Sequence, residues 1–414
     1  MRQRIFVALL LFTLLFPLSL LANGTQEEEG AGADEPVTIT WAPHWTNYID
    51  TTLSDLAEAF EAENPNVTVE LEAVQNYERA MRTRLAANEL PDIVRDLNLD
   101  AEDYPRYYLP LNDLFDPDEL LDYYKVTGPD GETVYAFPYL INYNGAVYNR
   151  TAFEEAGIES VPRTIDELWQ VSDRLVNAGI VPVGTGFQDA WPLGNFYNRY
   201  PLNLAGDVEL FNDLAESGDS PFENEAVIAS LDVIRGLHER GYIEEDPMSA
   251  AWSSLSTQMA AGEKAMAMLA TWFPPQIVMN GAEPEEIGMF PFPGSDVITV
   301  GGGASYGVAA SAEHPEVAKR FLQFQIEEQR IAEALDGIST LASAESDYPW
   351  VQEITSFDVE TLVRVPDSQL YRAITNEMRF NPGAFVQDYV LSDNPEEVLA
   401  EYTERWNNAR ESVQ

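Results

Sequence analysis

For catalysis this 414-residue chain offers three histidines, no cysteine and seventy carboxylates. His44, His238 and His314 have no i, i+4 partner, which argues against a zinc site of the usual construction. Gly303-Ala304-Ser305-Tyr306-Gly307 matches the G-x-S-x-G nucleophile elbow. That elbow needs strand, tight turn and helix, whereas Val308-Ala309-Ala310 reads as continuing strand. His314 is also the only histidine after Ser305 and stands too close to follow a separate acid, so a serine hydrolase is not expected. Glycines 301–303 lack the helix start and lysine of a phosphate loop. They suit a backbone that approaches a ligand closely or absorbs a hinge rotation. Among 70 acids some pair will have glycosidase spacing by chance, so a glycan-processing enzyme stays open as a second class of function.

The aromatic residues are more informative. Trp45, Tyr77, Tyr143, Trp191, Trp252 and Trp272 all fall in polar or turn-flanked segments that follow strands. Flat amphipathic rings beside amides and carboxylates suit a ligand with an apolar face and a hydroxyl rim, namely a sugar. Each ring taken singly could equally be a packing residue at a loop base. The expectation is that at least three of them line one site.

The elements that must position these side chains follow from periodicity. Val37, Ile39 and Trp41 alternate as a strand, Leu53, Leu56, Ala57 and Phe60 repeat as a helix, and Val67 to Leu71 is a second strand, giving a β-α-β unit. Pro91 to Val94 is a third strand, ending in Arg95-Asp96-Leu97-Asn98. The loops after the three strands carry His44 and Trp45, Gln75 and Tyr77, and Asp96 and Asn98. In an open α/β sheet, loops at the carboxyl ends of strands converge on the ligand crevice.

Tyr135 to Arg150 is the pivotal stretch. Odd spacing puts Tyr135, Phe137 and Tyr139 on one strand face. Asn142-Tyr143-Asn144-Gly145 is expected to interrupt the strand, with a hinge at about Tyr139 to Gly145 that presents Tyr143 and Asn144 to a cleft. Further on, Thr164-Ile165-Asp166-Glu167 is a capping box. Strand 180–184 leads to a long loop holding Trp191, Asn195, Phe196 and Tyr197. A helix from about Asn224 to Arg240 precedes Trp252, and strand 263–269 delivers Trp272. Val297 to Ala309, through the three glycines, is a second crossing between lobes. The remainder reads as helical, the last helix opened by Asn394-Pro395-Glu396-Glu397.

Length and charge bound the class. The chain exceeds the size of one growing core, so two domains are expected. Arg2 and Arg4, an apolar run from Ile5 to Leu21 and Ala22-Asn23-Gly24 have the layout of a secretory signal peptide over 1–24, with a flexible tether over 25–36. No later segment is apolar enough to span a membrane. Only three lysines occur among 23 Lys and Arg, and the net charge is −47. That charge argues against nucleic acid as a partner. It fits either a solvated surface adapted to high salt or steering of a cationic ligand.

Several motifs then occur in a familiar order: Phe60-Glu-Ala-Glu-Asn-Pro65 before a Val-x-Val strand, Leu85-Ala-Ala-Asn-Glu-Leu-Pro-Asp92, and Leu109-Pro-Leu-Asn-Asp-Leu114. After Tyr135 to Arg150 come Phe153-Glu-Glu-Ala-Gly157, Pro162-Arg-Thr-Ile-Asp-Glu-Leu168, Gly262-Glu-Lys-Ala-Met266 with Trp272, and Pro315-Glu-x-Ala-x-x-Phe321. Together they make the chain resemble the extracellular solute-binding proteins of ABC importers, in the group with maltose- and oligosaccharide-binding proteins. The resemblance implies an α/β fold of the type II periplasmic-binding-protein kind, two lobes with the ligand cleft between them. Lobe boundaries are expected at 37–142 plus 304–342 and at 143–303 plus 343–414. It implies a non-enzymatic receptor that needs no cofactor or metal, binds a carbohydrate, works as a monomer outside the cytoplasm and docks on ABC permease subunits. Carried over by position, His44, Trp45, Gln75, Asp96, Asn98, Tyr143, Asn144, Trp191, Trp252, Trp272, Gly302 and Gly303 would line the cleft. The missing cysteine after the signal departs from the lipid-anchored pattern. A cationic ligand, such as a polyamine or betaine caged by aromatics with Asp96, is the alternative within binding proteins.

Overall fold

The computed structural model describes residues 36–115, 119–120 and 125–414. The segments read from sequence as a signal peptide and, except for Pro36, as a tether lie outside the described residues. Two sheets organise the rest. The first contains β1 (Val37–Ala42), β2 (Val67–Leu71), β3 (Ile93–Arg95), β4 (Val126–Thr127), β5 (Val134–Pro138) and β11 (Ser305–Val308), in the order β2-β1-β3-β11-β5-β4. The second is built around β6 (Leu140–Asn149), with β7 (Val181–Val183), β8 (Lys264–Ala270), β10 (Val297–Gly302) and β13 (Glu360–Val363) in the order β13-β10-β6-β8-β7. β9 (Ile287–Phe290) and β12 (Ile338–Ser339) also pair with β6.

Local sequence explains most of this. β1 pairs in parallel with β2 and β3, and the connecting helix Thr52–Glu63 buries Leu53, Leu56, Ala57 and Phe60. Helix Pro315–Ile326 covers the same core, with Phe321 edge-on to Trp41 at 5.4 Å. The all-buried β8 is a continuous apolar run after its first residue, as a strand covered on both faces must be. The Thr164 capping box forms as read, and helix Glu225–Glu239 is capped by the Asn224 side chain. Asn394 stands at its N-cap position without a side-chain cap bond, its Nδ2 donating to Glu397 instead.

Three expectations need correction. The Asn142 to Gly145 segment does not interrupt its strand: β6 runs unbroken, because its first half pairs with β10 and its second half with β8. The break falls at Tyr139, between β5 and β6. The stretch after Trp191 is not a loop but helical turns, Asn195–Asn198 and Tyr200–Ala205, with Phe196 and Tyr197 buried in the core. The C-terminal part is not wholly helical either, since β13 extends the second sheet in parallel with β10.

The strand directions fix where the sheets meet. β5, β1, β2 and β3 end, and β11 begins, at the same side of the first sheet. β7, β8, β10 and β13 end, and β6 begins, at the facing side of the second. The chain crosses between lobes at 138–140 and at 302–305. Where β11 packs against β5, a Cβ on Gly307 would stand 2.3 Å from the Tyr135 carbonyl oxygen and 2.8 Å from Tyr108. Gly307→Ala should therefore destabilise the fold by about 1–3 kcal/mol. The check is the denaturant midpoint, which should fall with an unchanged slope.

Candidate functional site

The loop after β1 places His44 and Trp45 over the first crossing. The Trp45 ring stacks on Tyr306 (5.5 Å between centroids) and Tyr139 (6.2 Å), which themselves stack at 4.4 Å. Tyr139 is pinned from behind by its hydroxyl on the Gln325 side-chain oxygen. The His44 ring nitrogen Nδ1 lies 2.6 Å from the Tyr306 hydroxyl, which also accepts the His44 backbone N–H at 3.0 Å. Burial pulls the imidazole well below its ordinary range, and the Arg95 guanidinium adds to the effect. Tyr77 completes the group, its hydroxyl donating to the Ala42 carbonyl and accepting from the Arg95 N–H.

A second aromatic group stands on the second lobe. Trp191, Trp252 and Trp272 form a cluster with centroid separations of 4.5, 5.7 and 6.0 Å. Trp191 is half exposed, at 50%. It follows Ala190, whose φ of +60° is rare for a residue with a side chain. Gly383 sits directly beneath, where a Cβ would stand 2.2 Å from the Ala190 carbonyl oxygen. The turn is held in a strained form by the helix Pro382–Leu391 packed under it, a pattern that points to function.

Beside the crossings, between the lobes, lies a cavity of about 570 Å³. Asp96, Asn98, Gly302 and Gly303 line it, with Tyr104, Tyr371 and a set of basic residues. Asp96 is buried, accepting from the Tyr104 hydroxyl at 2.7 Å and the Asn98 N–H at 3.1 Å. Burial raises its pKa, partly offset by those bonds and by Arg95 and Arg372.

Of the twelve residues singled out from sequence, four line this cavity, three form the tryptophan cluster, and His44 and Trp45 form the first-lobe stack. Gln75 is exposed in the loop after β2 and is not among the cavity's lining residues. Tyr143 is partly buried and packs on the second-lobe core. Asn144 is turned away from the cleft: it is 5% exposed and its amide donates to the Thr299 carbonyl and hydroxyl. Its β6 position, opposite Ala270, faces it into the sheet packing. Arg82, Arg95, Arg199, Arg364 and Arg372 line the cavity and were not picked out from sequence. Arg95, next to Asp96 in a strand-end run, was the one within reach.

Comparison with known proteins agrees with this geometry. The model of the family described as bacterial extracellular solute-binding protein matches residues 45–329. A multiple sugar-binding protein of Streptococcus mutans is 24% identical over 317 residues, 74% of each chain. The melibiose/raffinose/stachyose-binding protein MelE of Bacillus subtilis is 25% identical over 354 residues, 81% of this chain and 82% of its own. Among solved structures, a mannobiose-bound binding protein of an ABC transporter from Bifidobacterium animalis subsp. lactis superposes with a TM-score of 0.81 at 26% identity, covering 91% of this chain and 95% of that one.

The lowered pKa of His44 makes stability depend on pH. The unfolded chain takes up a proton at His44 below about 6.5 while the folded chain does not, so stability is full above that pH and falls as pH drops below it. The slope from this one group is at most about 1.4 kcal/mol per pH unit. His44→Gln should lose stability less steeply than wild type between about pH 6.5 and 5 in urea titrations; parallel profiles would refute the assignment.

Proposed function

The chain belongs to the bacterial extracellular solute-binding protein family, and from that premise we propose that it is the substrate-binding component of an ABC importer whose ligand is an oligosaccharide. The single observation that carries this reading is the pairing of aromatic walls, Trp45 with Tyr139 and Tyr306 on one lobe and the tryptophan cluster on the other, beside a polar interlobe cavity. The aromatic faces would pack on the apolar faces of sugar rings while Asp96 and Asn98 accept and donate to hydroxyls. The named ligands of the relatives, mannobiose, melibiose, raffinose and stachyose, support the same class.

The receptor would work as a hinged pair of lobes that meet at the crossings 138–140 and 302–305, so that Ile141 and Asn142, expected from sequence in the first lobe, go with the second. Open and closed forms differ by a few kcal/mol, and a ligand touching both lobes biases closure. The closed form would be recognised on the extracytoplasmic side by the membrane subunits of the importer. A polyamine or betaine ligand fits less well, because the cavity around Asp96 is rich in arginine.

The test is a thermal-shift and calorimetric screen with oligosaccharides of two to four units. A true ligand at about 100 times its Kd adds about 2.7 kcal/mol of stability. Trp272→Ala and Trp191→Ala should each weaken the identified sugar by about 2 kcal/mol, roughly thirtyfold. Stabilisation by quaternary amines and by no sugar would overturn the reading, as would conversion of the sugar to product.

A further inference from the structure

Of the charged side chains lining the interlobe cavity, Arg82, Arg95, Lys125, Arg199, Arg364 and Arg372 are basic, against Asp96 and Asp367. The whole chain holds 70 acids to 23 bases. The lining therefore reverses the composition from which it is drawn, six bases to two acids.

Arg82 and Arg372 are positioned by the backbone of one first-lobe segment. Arg82 Nη2 donates to the Leu97 carbonyl at 2.7 Å, and Arg372 Nη1 to the Leu99 carbonyl at 3.2 Å. A carbonyl orients a guanidinium without cancelling its charge. Both carbonyls belong to the segment after β3 that also carries Asp96 and Asn98. Among the described residues the carboxylate paired with Arg82 is Glu78 at 3.1 Å, in a pair exposed by nearly half on each side, and such pairs contribute little. Arg372 comes from the second-lobe helix Gln369–Glu377 and reaches a first-lobe carbonyl, so it spans the cleft. Its Nε–H is buried and has no acceptor among the described residues, a donor that a ligand oxygen would satisfy. Asp96, whose carboxyl feels the Arg372 charge, already accepts from Tyr104 and Asn98.

A neutral sugar needs donors and acceptors, which amides and hydroxyls provide. It does not need a lining in which bases outnumber acids six to two. The planar fork of arginine matches a carboxylate or sulfate with two parallel bonds, and is the side chain of choice for that task. We infer that the saccharide held between the lobes is anionic, bearing a carboxylate or sulfate group that Arg372 and its basic neighbours engage. This rests on the sugar-binding reading above, whose aromatic walls would hold the rings while the arginines hold the charge.

Calorimetry with matched pairs tests it. Trigalacturonate and trimannuronate are each titrated beside their methyl esters, and a sulfated carrageenan tetrasaccharide beside its desulfated form. At least one acid should bind at least about tenfold more tightly than its uncharged counterpart, the equivalent of one charge-assisted contact; the pair that shows it names the acidic group. Arg372→Gln, and separately Arg82→Gln, should reduce that acid-to-neutral ratio, with near-native melting temperatures confirming that each variant folds. Neutral oligosaccharides binding as tightly as the acids, or more tightly, would overturn the inference and leave the sugar reading standing. Binding of no saccharide, charged or neutral, would remove both.

Discussion

The structure depends on two strands that cross between the lobes side by side and are hydrogen-bonded to each other as they cross. Ser305 pairs with Pro138 on the first-lobe side and Gly302 with Ile141 on the second. Between them the Tyr139 N–H donates to Ala304 at 3.3 Å and the Gly303 N–H to Leu140 at 2.7 Å. A doubled crossing of this kind can bend as one ribbon but cannot slip, because slippage would turn each buried face of β6 outward. It also explains the glycine at 303. A Cβ there would lie 2.8 Å from the Asn142 amide nitrogen and 3.2 Å from the Leu140 carbonyl oxygen. Crowding by the Asn142 side chain and the Leu140 carbonyl, rather than a left-handed conformation, is what disfavours a side chain.

Everything that faces the cleft is hung from this ribbon. Tyr139 sits in the first crossing and Tyr306 just past the second, and their stacked rings are the platform on which Trp45 rests. On the other side Thr271, at the end of β8, donates to the Asn142 side chain at 3.4 Å and accepts the Tyr143 N–H at 3.1 Å, which fixes the base from which Trp272 projects. The two aromatic walls are thus tied to opposite ends of one short ladder. They differ in how firmly they are held. The first-lobe stack is largely covered and internally bonded, whereas Trp191 stands out on a turn with a positive φ at Ala190. A conformation of that kind costs of order 1–3 kcal/mol, offset by the close packing of Gly383 beneath it.

The sequence made legible whatever depends on short-range pattern. The β-α-β opening, the strand-end loops with His44, Trp45, Asp96 and Asn98, the Thr164 capping box and the approximate crossings all follow from periodicity and turn chemistry. Features that depend on pairing partners were not visible. Asn142 to Gly145 looks like a polar interruption because its amides are read alone. In the fold the Asn144 side chain has Thr299 to bond to, and the strand continues. β13 is short and mostly exposed, with no alternation to announce it, and exists because β10 offers an edge. Arg82 lies far along the chain from Arg364 and Arg372, and no local spacing could have grouped it with them.

A basic cavity inside so acidic a chain poses an electrostatic question that local geometry answers. With 70 acidic groups, the easiest fate for any arginine is a surface pair with a carboxylate, which would spend its charge. The guanidinium of Arg372 is instead committed to the Leu99 carbonyl, and Arg82, bonded to the Leu97 carbonyl, keeps only an exposed pair with Glu78. The distant acids cannot then cancel the site, because their field is screened over about 8 Å at physiological salt, whereas groups lining one cavity interact within that distance. Higher salt weakens the repulsion from the outer surface more than the contacts inside a partly enclosed cleft. A strongly acidic exterior and a basic binding cavity are therefore compatible, provided the cavity's cations are positioned by the main chain and not by the abundant carboxylates.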